Sequence, residues 1–121
     1  MNENKNILKN KSFAFAISCV KIFKHLTDTK KEFVLSKQLL RSGTSIGANI
    51  REAHNAESKA DFIHKFGIAQ KECDETIYWL ELLHHSEYLN QGEFESHCKD
   101  ATEVLKMIRS SILTLKQKMK S

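Results

Sequence analysis

The sequence predicts an all-α protein, an antiparallel up-down-up-down four-helix bundle, from three observations. The 121 residues include no proline and only four glycines, whereas average usage would give a chain of this length about six prolines. Proline interrupts helices, so its absence favours long ones. Apolar residues recur at alternating spacings of three and four, which is typical of packed helices. Polar or glycine-bearing breaks near 27–30, 55–58 and 88–92 leave four segments, the number that a bundle needs.

We expect a single domain over residues 1–121. The expected helices are roughly 9–26, 31–55, 59–89 and 93–119. The last helix has the clearest periodicity, since its apolar positions run through Phe94, Cys98, Ala101, Leu105, Ile108, Ile112, Leu115 and Met119. The third repeats the pattern from Phe62 to Leu83, and Ser58 with Asp61 is a plausible cap for its start.

The second helix is unusual because Gly43 and Gly47 lie along one edge of its apolar stripe. A glycine inside a helix costs roughly 0.5–1 kcal/mol relative to alanine, so two of them, four residues apart, predict a close approach by another backbone. The phase of Leu35 and Leu39 resumes at Ile46 without a shift, which favours a continuous helix. The alternative is a break at 42–45.

The first three helices have more apolar width than one buried stripe requires. A helix in a lone bundle needs only one such stripe, and a second apolar face usually meets another surface. We therefore expect the chain to associate with further copies of itself.

The net charge of +4 is unevenly distributed. Residues 1–41 hold nine Lys or Arg and three acids, residues 42–100 hold five and eleven, and residues 101–121 hold five and one. Two basic flanks therefore surround an acidic middle. They could bind a polyanion such as nucleic acid, or they could be an ordinary solvated surface whose charges partly pair within or between subunits.

No feature of the sequence indicates an enzyme. Glu81 and His84 form one Glu-x-x-His pair, where a di-iron bundle needs two. The three cysteines occupy apolar helix positions and no phosphate-binding glycine loop is present. We expect no catalysis, no metal and no cofactor. The N-terminus lacks a signal peptide and no apolar run could span a membrane, so a cytoplasmic location without membrane contact is expected.

Polar residues within the helical pattern are more informative. Gln38, Ser42, Ser45 and Asn49 follow one edge of the second helix, and Glu72 and Glu75 lie among apolar residues of the third. They favour hydrogen bonds between helices or subunits that fix register. A groove that faces a ligand is the alternative interpretation.

Three stretches also resemble a known family. The run from Ser36 to Ala53, SKQLLRSGTSIGANIREA, is followed by AESKADF at 56–62 and IAQKECDETIYWL at 68–80. Together they resemble the bacterial 23S rRNA intervening-sequence proteins, which are four-helix bundles, and the match spans nearly the whole chain. Members of that family are similar to the accessory variability protein of diversity-generating retroelements, a ring-shaped pentamer that associates with RNA and a reverse transcriptase.

The resemblance implies a ring-shaped homo-oligomer, with a pentamer favoured, and a nucleic-acid role with RNA favoured over DNA. It also suggests a reverse transcriptase as a partner, and it implies no active site. An adaptor or scaffold without nucleic-acid contact is the alternative function. The candidate nucleic-acid contacts are Lys37, Arg41, Arg51, Lys59 and Lys65. The candidate determinants of the bundle or subunit interface are Gln38, Ser42, Gly43, Ser45, Gly47, Asn49, Glu52, Glu72 and Glu75.

Overall fold

The computed structural model describes the backbone of residues 2–120 and the side chains of residues 6–120. Within that range the protein is all-α, with four helices and no strand. The helices are α1 (Asn2–Asp28), α2 (Leu35–His54), α3 (Lys59–His85) and α4 (Gln91–Lys120). None of the described helices is both long and apolar enough to cross a membrane.

The helices pack as α1 on α2, α2 on α3, α3 on α4 and α1 on α4, with the last contact the least extensive. All four contribute to one apolar core, as in a four-helix bundle. Its fully buried members include Cys19, Leu26, Leu39, Ile46, Ile50, Phe66, Cys73, Leu80, Leu83, Val104 and Ile108. They follow the stripes of the sequence, because a period of 3.6 residues turns every third or fourth side chain to the same side of a helix.

Helix α2 continues through both of its glycines, and α1 lies against them. A Cβ atom at Gly43 would overlap Cys19 Sγ and lie 3.2 Å from Cys19 Cβ. A Cβ atom at Gly47 would lie 3.4 Å from Ser12 Oγ and 3.5 Å from the Ser12 carbonyl oxygen. The absent side chains therefore let α1 approach α2 closely, and Gly43 is the tighter of the two positions.

The second helix begins at Leu35, and the expected start at residue 31 was wrong. Lys31 has a φ of 56°, which is incompatible with a right-handed helix. The next residue, Glu32, is 8% exposed, and its carboxylate accepts hydrogen bonds from the backbone N–H groups of Val34, Leu35 and Ser36 at 3.0, 2.9 and 2.7 Å. A carboxylate just before the first helical turn thus satisfies N–H groups that have no partner within the helix.

Other boundaries also differ from the expected ones. Helix α1 begins at Asn2 instead of residue 9. Helix α3 ends at His85 instead of residue 89, because the chain turns at Glu87, which has a φ of 69°. Helix α4 begins at Gln91, where Asn90 and Glu93 cap it reciprocally, each side chain accepting from the other's backbone N–H at 2.8 and 2.9 Å. The expected cap of α3 is present, since Ser58 Oγ accepts from the Asp61 N–H at 3.1 Å.

The glycine contact can be tested with a matched pair of substitutions. Gly67 lies in α3 with nothing within 4 Å of an added Cβ, so Gly67→Ala should stabilise the protein by about 0.5–1 kcal/mol through helix propensity. Gly43→Ala should instead destabilise it by about 1–3 kcal/mol, because the methyl group overlaps Cys19. Urea denaturation followed by circular dichroism measures both. Equal stabilisation by the two substitutions would contradict the close approach of α1.

The Glu32 cap should make stability depend on pH. Burial raises the pKa of this carboxyl, but the hydrogen bonds from Leu35, Ser36 and Val34 outweigh burial, and the pKa is lowered below its ordinary value. The cap therefore stabilises the folded state at pH values above the unfolded pKa of about 4.3, and this contribution is lost as the pH falls through the folded pKa. Glu32→Gln should cost about 1 kcal/mol at pH 7 and lose less stability than the wild type on acidification. Denaturant unfolding at pH 7 and pH 3 measures this difference. If the cap contributed nothing, the wild type and Glu32→Gln would lose the same free energy of unfolding between the two pH values.

The polar seam between α2 and α3

The polar residues of the sequence signature gather where α2 and α3 pack together. Polar side-chain contacts connect the two helices: Arg41 Nη2 with Glu75 Oε2 at 3.1 Å, Thr76 Oγ1 with Ser42 Oγ at 2.9 Å, and Lys65 Nζ with Glu52 Oε1 at 3.0 Å. We call this region the polar seam. It comprises Gln38, Arg41, Ser42, Ser45, Asn49 and Glu52 of α2, with Lys65, Glu72, Glu75, Thr76 and Trp79 of α3.

The hydrogen bond between Ser42 and Thr76 lies at the buried level of the seam, where both residues are 0% exposed. Thr76 Oγ1 is also 2.8 Å from the Glu72 carbonyl oxygen, so its one proton is donated to one of two oxygens. A buried hydroxyl that lost its partner would be costly, and a slip of α3 along α2 would separate this pair. The bond therefore fixes the register of the two helices.

Glu75 is the acceptor on the outer side of the seam. Its Oε2 atom accepts hydrogen bonds from both Arg41 Nη2 and Trp79 Nε1, each at 3.1 Å. Trp79 lies four residues after Glu75, one turn along the same face of α3. The side chain of Glu75 is 33% exposed and that of Arg41 is 60% exposed, so water screens their attraction. One carboxylate thus holds a cation from the neighbouring helix and an indole from its own.

Two further polar residues of α2 in the seam bond within their own helix. Ser45 Oγ donates to the Arg41 carbonyl oxygen at 2.6 Å, and Asn49 Nδ2 donates to the Ser45 carbonyl oxygen at 2.9 Å. Gln38 is half-buried one turn before Ser42. Sequence spacing identified the correct edge of α2, but it did not separate side chains that reach α3 from those that bond locally.

Glu72 is less well satisfied than Glu75. Its Oε1 atom is buried and has no hydrogen-bond partner among the described residues. Along α3 it lies between Lys65 and Glu75, both of which have a partner on α2. An unpaired buried acceptor destabilises a fold. No contact among the described residues therefore offsets the cost of burying this oxygen of Glu72.

The five candidate nucleic-acid contacts fall into two groups. Arg41 and Lys65 pair with carboxylates of the seam, and the Arg51 guanidinium lies 5.0 Å from the centroid of the Phe13 ring, a cation–π contact. The Glu52 carboxylate beside Lys65 raises the pKa of that ammonium. Lys37 and Lys59 are exposed on α2 and α3. The structure therefore engages three of the five in contacts within the chain.

Three further lysines, not among these candidates, lie at the end of α4: Lys116, Lys118 and Lys120. Lys116 and Lys120 line a hollow of about 370 Å³ together with Met119 and with Ala60 and Ile63 near the start of α3. A sequence signal for them exists, because α4 has five Lys or Arg and no carboxylate after Glu103. Lys59 directly precedes Ala60, which lines this hollow. The start of α3 and the end of α4 therefore present exposed cations together.

The titratable groups of the core are poorly suited to chemistry. Burial raises the pKa of the Cys19 and Cys73 thiols to about 12, and Cys73 Sγ donates to the Ala101 carbonyl oxygen at 3.2 Å. Burial also lowers the pKa of His97, which is hydrogen bonded to Ser18 at 3.0 Å. Both thiols are protonated at neutral pH and therefore weak nucleophiles. Within the described residues, no three His, Cys, Asp or Glu side chains are grouped to hold a metal.

The two glutamates of the seam provide a matched test of its energetics. Glu75→Gln should destabilise the protein by about 1 kcal/mol, because it weakens the contacts with Arg41 and Trp79. Glu72→Gln should leave stability unchanged or raise it by up to about 1 kcal/mol, because it replaces a half-buried carboxylate that has an unpaired buried oxygen. Both are measured by urea denaturation at low protein concentration. A larger loss for Glu72→Gln than for Glu75→Gln would refute this assignment.

Comparisons with known proteins agree with the fold and with the signature on α2. The model of the 23S rRNA-intervening sequence protein family matches residues 4–110. A crystal structure at 1.70 Å resolution, of a protein with unknown function from the S23 ribosomal protein family of Bacteroides thetaiotaomicron VPI-5482, is similar with a TM-score of 0.89. The two chains are 54% identical over 90% of this chain and 97% of that one. Among curated proteins no relative matches. The resemblance seen in the sequence is confirmed, and the chain belongs to the 23S rRNA-intervening sequence protein family.

Proposed function

We propose that this protein is a non-enzymatic, cytoplasmic oligomer that binds nucleic acid, RNA in preference to DNA, through a basic surface. The observation that carries the proposal is the set of exposed cations at the start of α3 and the end of α4. Lys59, Lys116, Lys118 and Lys120 are exposed there. Clustered Lys side chains bind phosphates by displacing condensed counterions, which needs neither a deep pocket nor a catalytic group.

The apolar hollow between these lysines also supports the proposal. It is lined by Ala60, Ile63 and Met119 together with Lys116 and Lys120. An apolar surface beside ammonium groups suits a nucleotide, which pairs a flat base with an anionic phosphate. The same surface has less to offer a neutral ligand, for which the two ammonium groups supply no charge complement.

We further propose the up-down-up-down order for the bundle. Contacts between helices support it, because later residues of one helix meet earlier residues of the next. On α2 and α3, Arg41 contacts Glu75 whereas Glu52 contacts Lys65. The same reversal relates α1 to α4, where Lys11 meets Glu103 and Ser18 meets His97. In this order the start of α1 lies at the same end as the exposed lysines of α3 and α4.

The proposal includes self-association into a ring-shaped homo-oligomer, and we favour a pentamer. Support comes from the apolar side chains that α1 leaves exposed, with Phe13 at 52%, Ile17 at 44% and Val20 at 37%. Side chains of this size in one row of a helix commonly mark an interface. A ring would also repeat the basic surface and so strengthen binding to a long polyanion. A reverse transcriptase is the further partner that the family resemblance implies.

One observation favours the alternative of an adaptor that docks proteins only. Arg41 and Lys65 are already paired with carboxylates, and Arg51 is held over Phe13. Part of the basic surface is therefore already engaged in contacts within the chain in the absence of a phosphate ligand. In an adaptor, these residues would position helices and subunits, and the exposed lysines would serve solubility alone.

The two functions can be separated by titrating a labelled RNA hairpin, a single-stranded RNA and a DNA duplex over a salt series. For a nucleic-acid binder, the logarithm of the binding constant should fall linearly with the logarithm of the salt concentration. The double variant Lys116→Glu/Lys120→Glu should weaken binding at least about tenfold at low salt and reduce the salt slope, because two phosphate contacts are lost. Fluorescence anisotropy measures both quantities.

The matched control is Lys116→Arg/Lys120→Arg, which keeps both charges and should bind like the wild type. Charge reversal at Lys37 distinguishes assembly from binding, whereas reversal at Arg41 would also break its contact with Glu75 within the chain. If Lys37→Glu dissociates the oligomer, Lys37 holds subunits together, and if the oligomer stays intact while RNA binding is lost, Lys37 contacts RNA. Absence of binding to all three probes at micromolar protein would refute the nucleic-acid proposal.

A further inference from the structure

The outer side of α1 carries an apolar row with a lysine at each end. Its residues follow helical spacings of four, four, three and four, and all of them are exposed: Lys9, Phe13, Ile17, Val20 and Lys24. The core side of the same helix is formed by other residues, among them Leu8, Phe15, Cys19 and Leu26. The row is therefore a second apolar face that the packing of this chain leaves uncovered.

The charge around this row has one sign. Between residues 6 and 27, α1 has four lysines and no carboxylate. Between residues 33 and 51, the neighbouring α2 contributes Lys37, Arg41 and Arg51, again with no carboxylate. Arg51 lies against the row itself, over the Phe13 ring. A partner of the row must therefore offer an apolar or aromatic centre with negative charge around it.

This charge pattern argues against two α1 rows packing on each other. Such a symmetric contact would bring Lys9 and Lys24 of one copy close to the same lysines of the other. Like charges that are juxtaposed at an interface are unfavourable, and more so as water is excluded. The partner surface must then differ from the row, which makes the contact heterologous if both surfaces belong to the same chain.

Helix α3 provides a surface of the required kind. Tyr78 is 55% exposed, and its neighbours along the helix, at four residues before and three after, are the exposed acids Asp74 and Glu81. From residue 72 to residue 83 the helix has four carboxylates and no Lys or Arg, while Lys71 directly precedes this stretch and Arg109 of α4 lies 3.7 Å from Asp74 in an exposed ion pair. Tyr78 also makes an edge contact with the Trp79 ring, with centroids 5.0 Å apart. We call Asp74, Tyr78 and Glu81 the acidic row.

We propose that the α1 row of one copy docks on the acidic row of a second copy. The aromatic ring of Tyr78 would pack on the apolar side chains of the row, and the side chains of Lys9 and Lys24 would extend along the row toward Asp74 and Glu81. Each copy then uses one surface as donor and the other as acceptor, so the contact can repeat around a closed ring or along an open filament. This inference rests on the self-association proposed above and specifies its two surfaces.

The test measures the mass of the native full-length chain and its variants by analytical ultracentrifugation over a concentration series. Ile17→Asp should shift the protein to the 13.9 kDa monomer, because it places a carboxylate in the apolar row. Lys24→Glu and Glu81→Lys should each raise the dissociation constant on the order of tenfold, since each brings like charges together. Because none of the three side chains belongs to the buried core, circular dichroism should show unchanged helix content and melting temperature.

Mixing provides the decisive arm. Equimolar Lys24→Glu and Glu81→Lys variants should co-assemble more tightly than either alone, because the carboxylate introduced at position 24 of one variant faces the ammonium group introduced at position 81 of the other. Lys106→Glu, an equal charge change on the exposed side of α4, should assemble like the wild type.

Three results would overturn the inference. If Ile17→Asp leaves the oligomer intact, the row is not the interface. If Glu81→Lys alone leaves it intact while Ile17→Asp dissolves it, the row meets a different surface. If the wild type is a monomer at all concentrations, self-association fails as well. Failure to bind RNA would leave the contact unaffected, so the two proposals fail separately.

Discussion

The close approach of α1 to α2 at Gly43 is the constraint on which the rest of the structure depends. Because no side chain separates the helices there, Cys19 of α1 lies against the α2 backbone. That contact occupies one edge of α2, and its apolar stripe faces the core. Only the other edge is left to meet α3, and there the polar seam forms. The arrangement of residues around this one 20-residue helix thus determines that α1 meets its glycine edge and that α3 meets its hydrogen-bonding edge.

The polar seam shows how a helix pair can be held specifically without large stability. Its exposed ion pairs contribute little each, whereas the buried Ser42–Thr76 bond penalises any slip of one helix along the other. Glu72 represents the opposite case, a buried oxygen without a partner among the described residues. Natural proteins keep such groups where something other than the stability of the isolated chain is selected. The seam is therefore more informative about specificity than about the energy of folding.

Much of the fold could be predicted from the sequence, because apolar periodicity directly reports which side of each helix is buried. Boundaries were harder. The start of α2 depends on Glu32, whose carboxylate bonds to backbone groups up to four residues ahead, and no common capping motif marks it. At the site, spacing placed Ser45 and Glu75 on the correct faces. It could not show that Ser45 bonds to its own helix while Glu75 binds Arg41, because partners on other helices depend on the relative height of two helices.

The thiol that fills the space above Gly43 also links the interior of the protein to its outer surface. Cys19 and Ile17 lie on opposite sides of α1, one fully buried and the other exposed. A larger side chain at position 19 would push the whole helix away from α2, since close-packed interiors transmit displacement and do not absorb it. The outer row would move by a similar distance. Volume in the core is therefore mechanically coupled to the geometry of the surface, and a conservative change at a buried position would alter the outer row that we propose as a contact between copies.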